Sequence, residues 1–178
     1  MLTLKTILGE MESVLNSVNK EHYTNLVEKF KEDRRFFFVG EGRSGLIAKT
    51  IAMRLMHSGK TVFVVGETTT PAIQEGDLLI IVSGSAATGN IVNLLKTTNE
   101  IGAEAFLVTT NPAKLESENG LLIKAATKSR KEGEPSTIQP LGNQFDQSVH
   151  LILDAAIIDS QLETDTNTTF KRLHSNLE

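Results

Sequence analysis

Apolar residues recur at three- and four-residue spacings over Leu2, Leu4, Ile7, Leu8, Met11, Val14, Leu15 and Val18. The pattern resumes over Tyr23, Leu26, Val27 and Phe30 after the polar Asn19-Lys20-Glu21 break. This is the period of two amphipathic helices. The pattern then changes to short apolar runs without alternation: Phe36-Phe37-Phe38-Val39, Thr61 to Val65, Leu78 to Val82, Ala105 to Thr109 and Leu121-Leu122-Ile123. Such runs suit strands covered by helices on both faces. Helical spacing fills the intervals. Ile47, Ile51, Ala52 and Leu55 form the inner face of a helix that runs through Met56, and a second helix starts near Thr88 and ends near Gly102. Phe145, Val149, Ile152, Leu153 and Ile157 mark a third from Asn143 to about Leu162, and Asp165 or Thr166 can cap a final short helix to Leu177. Strands alternating with helices predict an α/β fold, a three-layer αβα domain around a five-stranded parallel sheet with right-handed crossovers.

No linker, repeat or composition shift divides the chain, so 1–178 reads as a single domain: an N-terminal helical arm (1–33), an α/β core (34–162) and a C-terminal helical tail (163–178). The opening helices are too short for a separate DNA-binding domain and are expected to pack on the domain or on a partner subunit. The net charge of −4 gives no basic face, so nucleic acid is not an expected partner. No run approaches the roughly 18 apolar residues of a membrane span. The absence of cysteine removes disulfides, thiolate metal sites and a cysteine nucleophile, and a cytoplasmic location is the default expectation.

Chemistry concentrates in the loops that follow strands. After Leu78 to Val82 come Ser83, Gly84, Ser85 and Thr88. Small residues let backbone N–H groups crowd around an anion, the hydroxyls donate further bonds, and the next helix aims its positive end there. The loop lacks the lysine of nucleoside triphosphate sites, which favours a sugar phosphate. In the alternative reading, the hydroxyls only cap the helix. Gly40-Glu41-Gly42-Arg43-Ser44-Gly45 fits G-x-G-x-x-G, with Glu67 near the position of a ribose-binding acid, so a nucleotide site is a second reading. Lys124 to Gln139 is a long loop carrying Lys124, Lys128, Arg130 and Lys131, either solvated surface or a lid over an anion.

Several blocks together resemble the 6-phospho-3-hexuloisomerase family of the sugar isomerase (SIS) fold. They are the GEGRSG loop, Ala52 to Gly59, Val65-Gly66-Glu67-Thr68-Thr69-Thr70-Pro71-Ala72, Ser83-Gly84-Ser85, and Pro140-Leu141-Gly142 before Phe145, over about Phe36 to Asp159. The resemblance implies a flavodoxin-like strand order, a sugar-phosphate ligand, no metal or organic cofactor, and a homo-oligomer, a tetramer or a dimer, with sites near subunit contacts. It implies interconversion of 3-hexulose 6-phosphate and fructose 6-phosphate, with Asp146, His57 and Glu67 as candidate catalytic groups. Arg43, Ser44, Ser83, Gly84, Ser85 and Thr88 become candidate substrate contacts. The alternative class is a SIS module that binds a sugar phosphate without turning it over.

Each candidate has a plainer role. His57 could close the C-terminus of its helix, Arg43 could be a surface residue, and Asp146 could merely complement the helix dipole. That dipole is expected to favour the ionised carboxylate and leave Asp146 a base of modest proton affinity. The sequence also departs from the family pattern. Ala86 and Ala87 stand where the family usually has glycine and a charged residue, and Ala86 is strained if the position needs a positive φ. The family's Gly-Thr-x-Phe-Glu appears as Gly142-Asn143-Gln144-Phe145-Asp146, so the candidate base is one methylene shorter.

Overall fold

A computed structural model describes residues 1–161 and 166–177. The elements in chain order are α1 (Leu2–Asn16), α2 (Lys20–Lys31), β1 (Arg35–Gly40), α3 (Gly42–His57), β2 (Thr61–Val64), β3 (Leu78–Val82), α4 (Gly89–Ile101), β4 (Glu104–Thr109), a 3₁₀ turn (Pro112–Glu116), β5 (Gly120–Leu122), α5 (Asn143–Ser160) and α6 (Thr166–Leu173). All strand pairs are parallel, in the order β2-β1-β3-β4-β5. This is the flavodoxin-like order the resemblance implied.

The unbroken apolar runs follow from helices on both faces. Phe36, Phe38, Leu78, Ile80, Val82, Phe106 and Val108 point into one core with side chains from α2, α3 and α5. The alternate residues Phe37, Val39, Leu79, Ile81, Ala105 and Leu107 point into a second core under Ile91 and Leu95 of α4. Every residue of β3 is buried, so no position on it has a wet side to record as alternation. Charges at the strands' N-terminal edge satisfy one another: Arg35 reaches Asp77 at 2.5 Å, and Glu104 takes both Arg34 and Lys29. The C-terminal edge is left for loops.

The tail differs from expectation. α6 ends at Leu173 rather than Leu177, and His174 just beyond it stacks on His57 with ring centroids 5.1 Å apart. Asp165 and Leu162 lie outside the described residues. The arm packs on its own domain, burying Met11 and Val14 while Leu2, Leu4 and Leu8 stay exposed. Among the described residues no helix is long and apolar enough to cross a membrane.

Candidate active site

The glycine loop between β1 and α3 is shaped by packing. A Cβ on Gly40 would lie 2.7 Å from the Ser44 backbone, and one on Gly45 would lie 2.7 Å from the Gly40 carbonyl oxygen. Strand end and helix start therefore touch backbone to backbone, which only glycine allows at both positions. Gly42 between them has φ +57°. The motif's spacing records this close crossing, and it delivers Arg43 and Ser44 to the sheet's C-terminal edge on the first turn of α3.

The serine loop is fastened by its carbonyls. Gly84 O accepts from Thr109 Oγ at 2.9 Å, Thr110 Oγ at 2.9 Å and Thr110 N–H at 3.0 Å, while Asn111 Nδ2 donates to Ser85 O at 3.0 Å. Ser83 Oγ accepts from Ala86 N–H and Ser85 Oγ from Ala87 N–H, so each hydroxyl keeps its proton to donate. Thr88, at the N-cap of α4, makes no side-chain capping bond. The hydroxyls therefore do not serve as caps of α4. Ala86 is buried at φ +50°, the left-handed conformation that costs an alanine about 1–2 kcal/mol. Among the described residues the other non-glycine residues with positive φ are Arg130 and Leu141, also in loops of this edge. Such strain gathers where surrounding contacts fix a functional backbone.

Asp146 occupies the first turn of α5 and is 4% exposed. Ser44 Oγ donates to its Oδ1 at 3.0 Å, and Arg43 Nε stands 3.2 Å from its Oδ2. Burial raises its pKa above the ordinary carboxylate value, although the Ser44 hydrogen bond and the Arg43 charge pull the other way. Exclusion of water, the largest of these causes, makes the group a stronger base than an ordinary carboxylate, whereas the helix dipole read from the sequence acts in the opposite direction.

A cavity of about 720 Å³ opens at this edge. Its walls include Arg43, Ser44, Ser83, Gly84, Ser85, Thr88 and Asp146, seven of the sequence candidates. The long loop after β5 closes the other side, with Lys124, Lys128 and Lys131 at the rim. It is held in shape by Glu134, whose carboxylate accepts from the Thr127 N–H and hydroxyl at 2.7 Å each. The loop is therefore a wall of the pocket, while Arg130 turns aside to the Gln139 carbonyl.

Two candidates are elsewhere. Glu67 is exposed, pairs with Lys49 at 2.6 Å and does not line the cavity. His57 ends α3, about 20 Å from Ser44 at 1.5 Å per residue, at the opposite edge of the sheet. It is 5% exposed beneath Phe170 and His174, and burial first, then the charges of His174 and Arg54, lower its pKa. Glu41 also lines the cavity and is not among the sequence candidates; its place inside the glycine loop was the available signal. Among the described residues no three side chains of the histidine, cysteine or carboxylate type converge to hold a metal ion.

The family model for the SIS domain matches residues 29–139. The 3-hexulose-6-phosphate isomerase of Bacillus subtilis is 34% identical over 97% of this chain and 95% of its own length. That of Mycobacterium gastri is 34% identical over 98% of this chain and 89% of its own. The crystal structure of a Methanococcus jannaschii protein, from which a 3-hexulose-6-phosphate isomerase function was inferred, superposes with a TM-score of 0.84 at 26% identity, covering 100% of both chains.

Proposed function

The chain belongs to the SIS domain family, and from that premise we propose that it is a sugar-phosphate isomerase interconverting D-arabino-3-hexulose 6-phosphate and fructose 6-phosphate. The observation that carries the reading is the buried carboxylate of Asp146, raised in pKa and oriented by Ser44 and Arg43, on the wall of a cavity that also holds the serine loop. A module that only bound the ligand would gain nothing from burying a carboxylate beside a phosphate.

The serine loop binds the phosphate through its N–H groups, the Ser83, Ser85 and Thr88 hydroxyls and the N-terminus of α4. That fixes the sugar carbons relative to Asp146. The carboxylate takes the proton from C2 of the 3-ketose, the electrons of that C–H bond form the C2–C3 double bond of an enediol, and the O3 oxygen gains negative charge. The O2 hydroxyl proton passes to the neighbouring O3 oxyanion of the cis-enediolate, and the same carboxyl returns the carbon-bound proton to C3 as the carbonyl forms at C2. One base suffices because the carbons are adjacent. Arg43 is the donor placed to stabilise the developing oxyanion.

His57 can join such a site only from another copy of the chain, since its own helix carries it to the far edge. We assign the protein a homo-oligomeric state, a tetramer, in keeping with the exposed Leu4 and Leu8 of α1 and Leu151 and Ile158 of α5. Light scattering at the mass of one 19.4 kDa chain at micromolar concentration would refute this. The activity is tested by a coupled assay for fructose 6-phosphate formation beside a thermal-shift titration with the same ligands. Turnover supports the isomerase, and binding without turnover sinks it.

A further inference from the structure

Arg43 holds Asp146, and Arg43 is itself held. A guanidinium N–H donates to Oδ1 of Asn143. Nδ2 of Asn143 donates to Gln139 Oε1 at 2.5 Å, and Nε2 of Gln139 donates to Glu10 Oε2 at 3.0 Å. Glu10 belongs to α1, separated from Gln139 by 129 positions. Its carboxylate also accepts from the Thr137 hydroxyl at 2.6 Å and the Ile138 N–H at 2.8 Å, and Arg130 is the charge that faces it. Gln139 is 2% exposed, so its amide has almost no water to turn toward.

Both ends of this relay are one-sided. A guanidinium only donates, and an ionised carboxylate only accepts. The two amides between them can be turned over, but only together. While Glu10 accepts at the far end, Asn143 presents its oxygen to Arg43. If a donor stands at position 10, Gln139 turns its oxygen toward it and its NH₂ toward Asn143. Asn143 then turns in its turn, and its NH₂ faces the guanidinium, donor against donor.

We propose that Glu10, on the N-terminal arm, is a positioning residue of the active site. Its carboxylate sets the direction of the Gln139–Asn143 amide pair and thereby holds Arg43 against Asp146. A plainer role exists, since Glu10 also ties down residues 137–139, and the test must separate the two.

The first variant is Glu10→Gln, which places an amide where only an acceptor fits. The second is Glu10→Gln combined with Gln139→Glu, which moves the carboxylate one step along the relay and again leaves the Asn143 oxygen facing Arg43. Glu10→Asp keeps an acceptor on a shorter arm. The first readout is the titration of the Asp146 carboxyl carbon by ¹³C NMR on the full chain. It requires no turnover, and the groups facing that carboxyl are Arg43 and Ser44. With Arg43 released, the Asp146 midpoint should rise in Glu10→Gln and return in the double variant and in Glu10→Asp. The second readout rests on the isomerase reading: kcat/KM for hexulose 6-phosphate should fall roughly tenfold in Glu10→Gln and recover in the double variant, because small misplacements of reacting groups cost rate steeply. An unmoved midpoint in Glu10→Gln overturns the proposal, and so does a midpoint displaced alike in all three variants. If the unmodified chain fails to isomerise the sugar, the isomerase reading falls, while the NMR titration still decides the role of Glu10.

Discussion

Ser44 donates its hydroxyl proton to Asp146 Oδ1 at 3.0 Å across 102 positions of sequence, joining the first turn of α3 to the first turn of α5. The bond aims the carboxylate while burial raises its pKa. A group whose folded pKa is raised contributes stability that is present below its unfolded value of 3.8 and is lost as pH rises through the folded value. Ionising Asp146 as pH rises therefore takes stability away from the fold. Asp146→Asn should abolish turnover yet leave the melting temperature at pH 7 equal or higher, with the difference shrinking as pH approaches 4. Calorimetry beside the coupled assay checks both. A variant that keeps the native kcat removes Asp146 from the mechanism, and one that is markedly less stable at pH 7 contradicts the account of its burial.

The backbone crossing of β1 and α3 sets the second prediction. Gly45→Ala pushes a methyl to 2.7 Å from the Gly40 carbonyl oxygen, a contact no rotamer relieves. It should cost about 2–3 kcal/mol despite the better helix propensity of alanine. Gly9→Ala, in α1, meets nothing within 4 Å and should stabilise by up to about 1 kcal/mol. Urea denaturation of the two variants should give opposite signs.

These examples show what the sequence made legible. Strands covered on both faces leave continuous apolar runs, so β1, β3 and β4 could be read to within about a residue of their ends. The serine loop could be read because hydroxyls cluster directly after a strand. Burial is different: it belongs to neighbours distant in sequence. The dipole at Asp146 was visible in the sequence, but the water exclusion that raises its pKa was not. Glu10 was invisible for the same reason, since its partners lie in a loop without periodicity. The distance of His57 from its own chain's pocket was also legible. A helix that begins at the strands' C-terminal edge must end near the other, so its length alone removes His57 from its own chain's pocket.

The serine loop carries the third prediction. Ser83→Ala with Ser85→Ala removes two hydroxyl donors and the acceptors of the Ala86 and Ala87 N–H groups. Charge-assisted bonds of this kind make the expected loss of fructose 6-phosphate affinity about 1–3 kcal/mol. Isothermal titration measures it directly. Unchanged affinity would place the phosphate elsewhere, at the lysines of the rim.

The fourth prediction turns on His57, beneath α6. Burial, then the charges of His174 and Arg54, lower its pKa below the ordinary 6.5. A histidine with a depressed folded pKa contributes stability that is present above its unfolded value and is lost as pH falls through the folded one. The unfolded chain binds the proton first, so acidification from pH 7 toward 5.5 should destabilise the fold before most carboxylates titrate. His57→Phe takes away the proton-binding difference while keeping an aromatic ring between Phe170 and His174. Its melting temperature should therefore fall less between pH 7 and 5.5 than that of the unaltered chain. Parallel slopes for the two proteins would mean that His57 is free to charge in the folded state, and that α6 does not shield it from water.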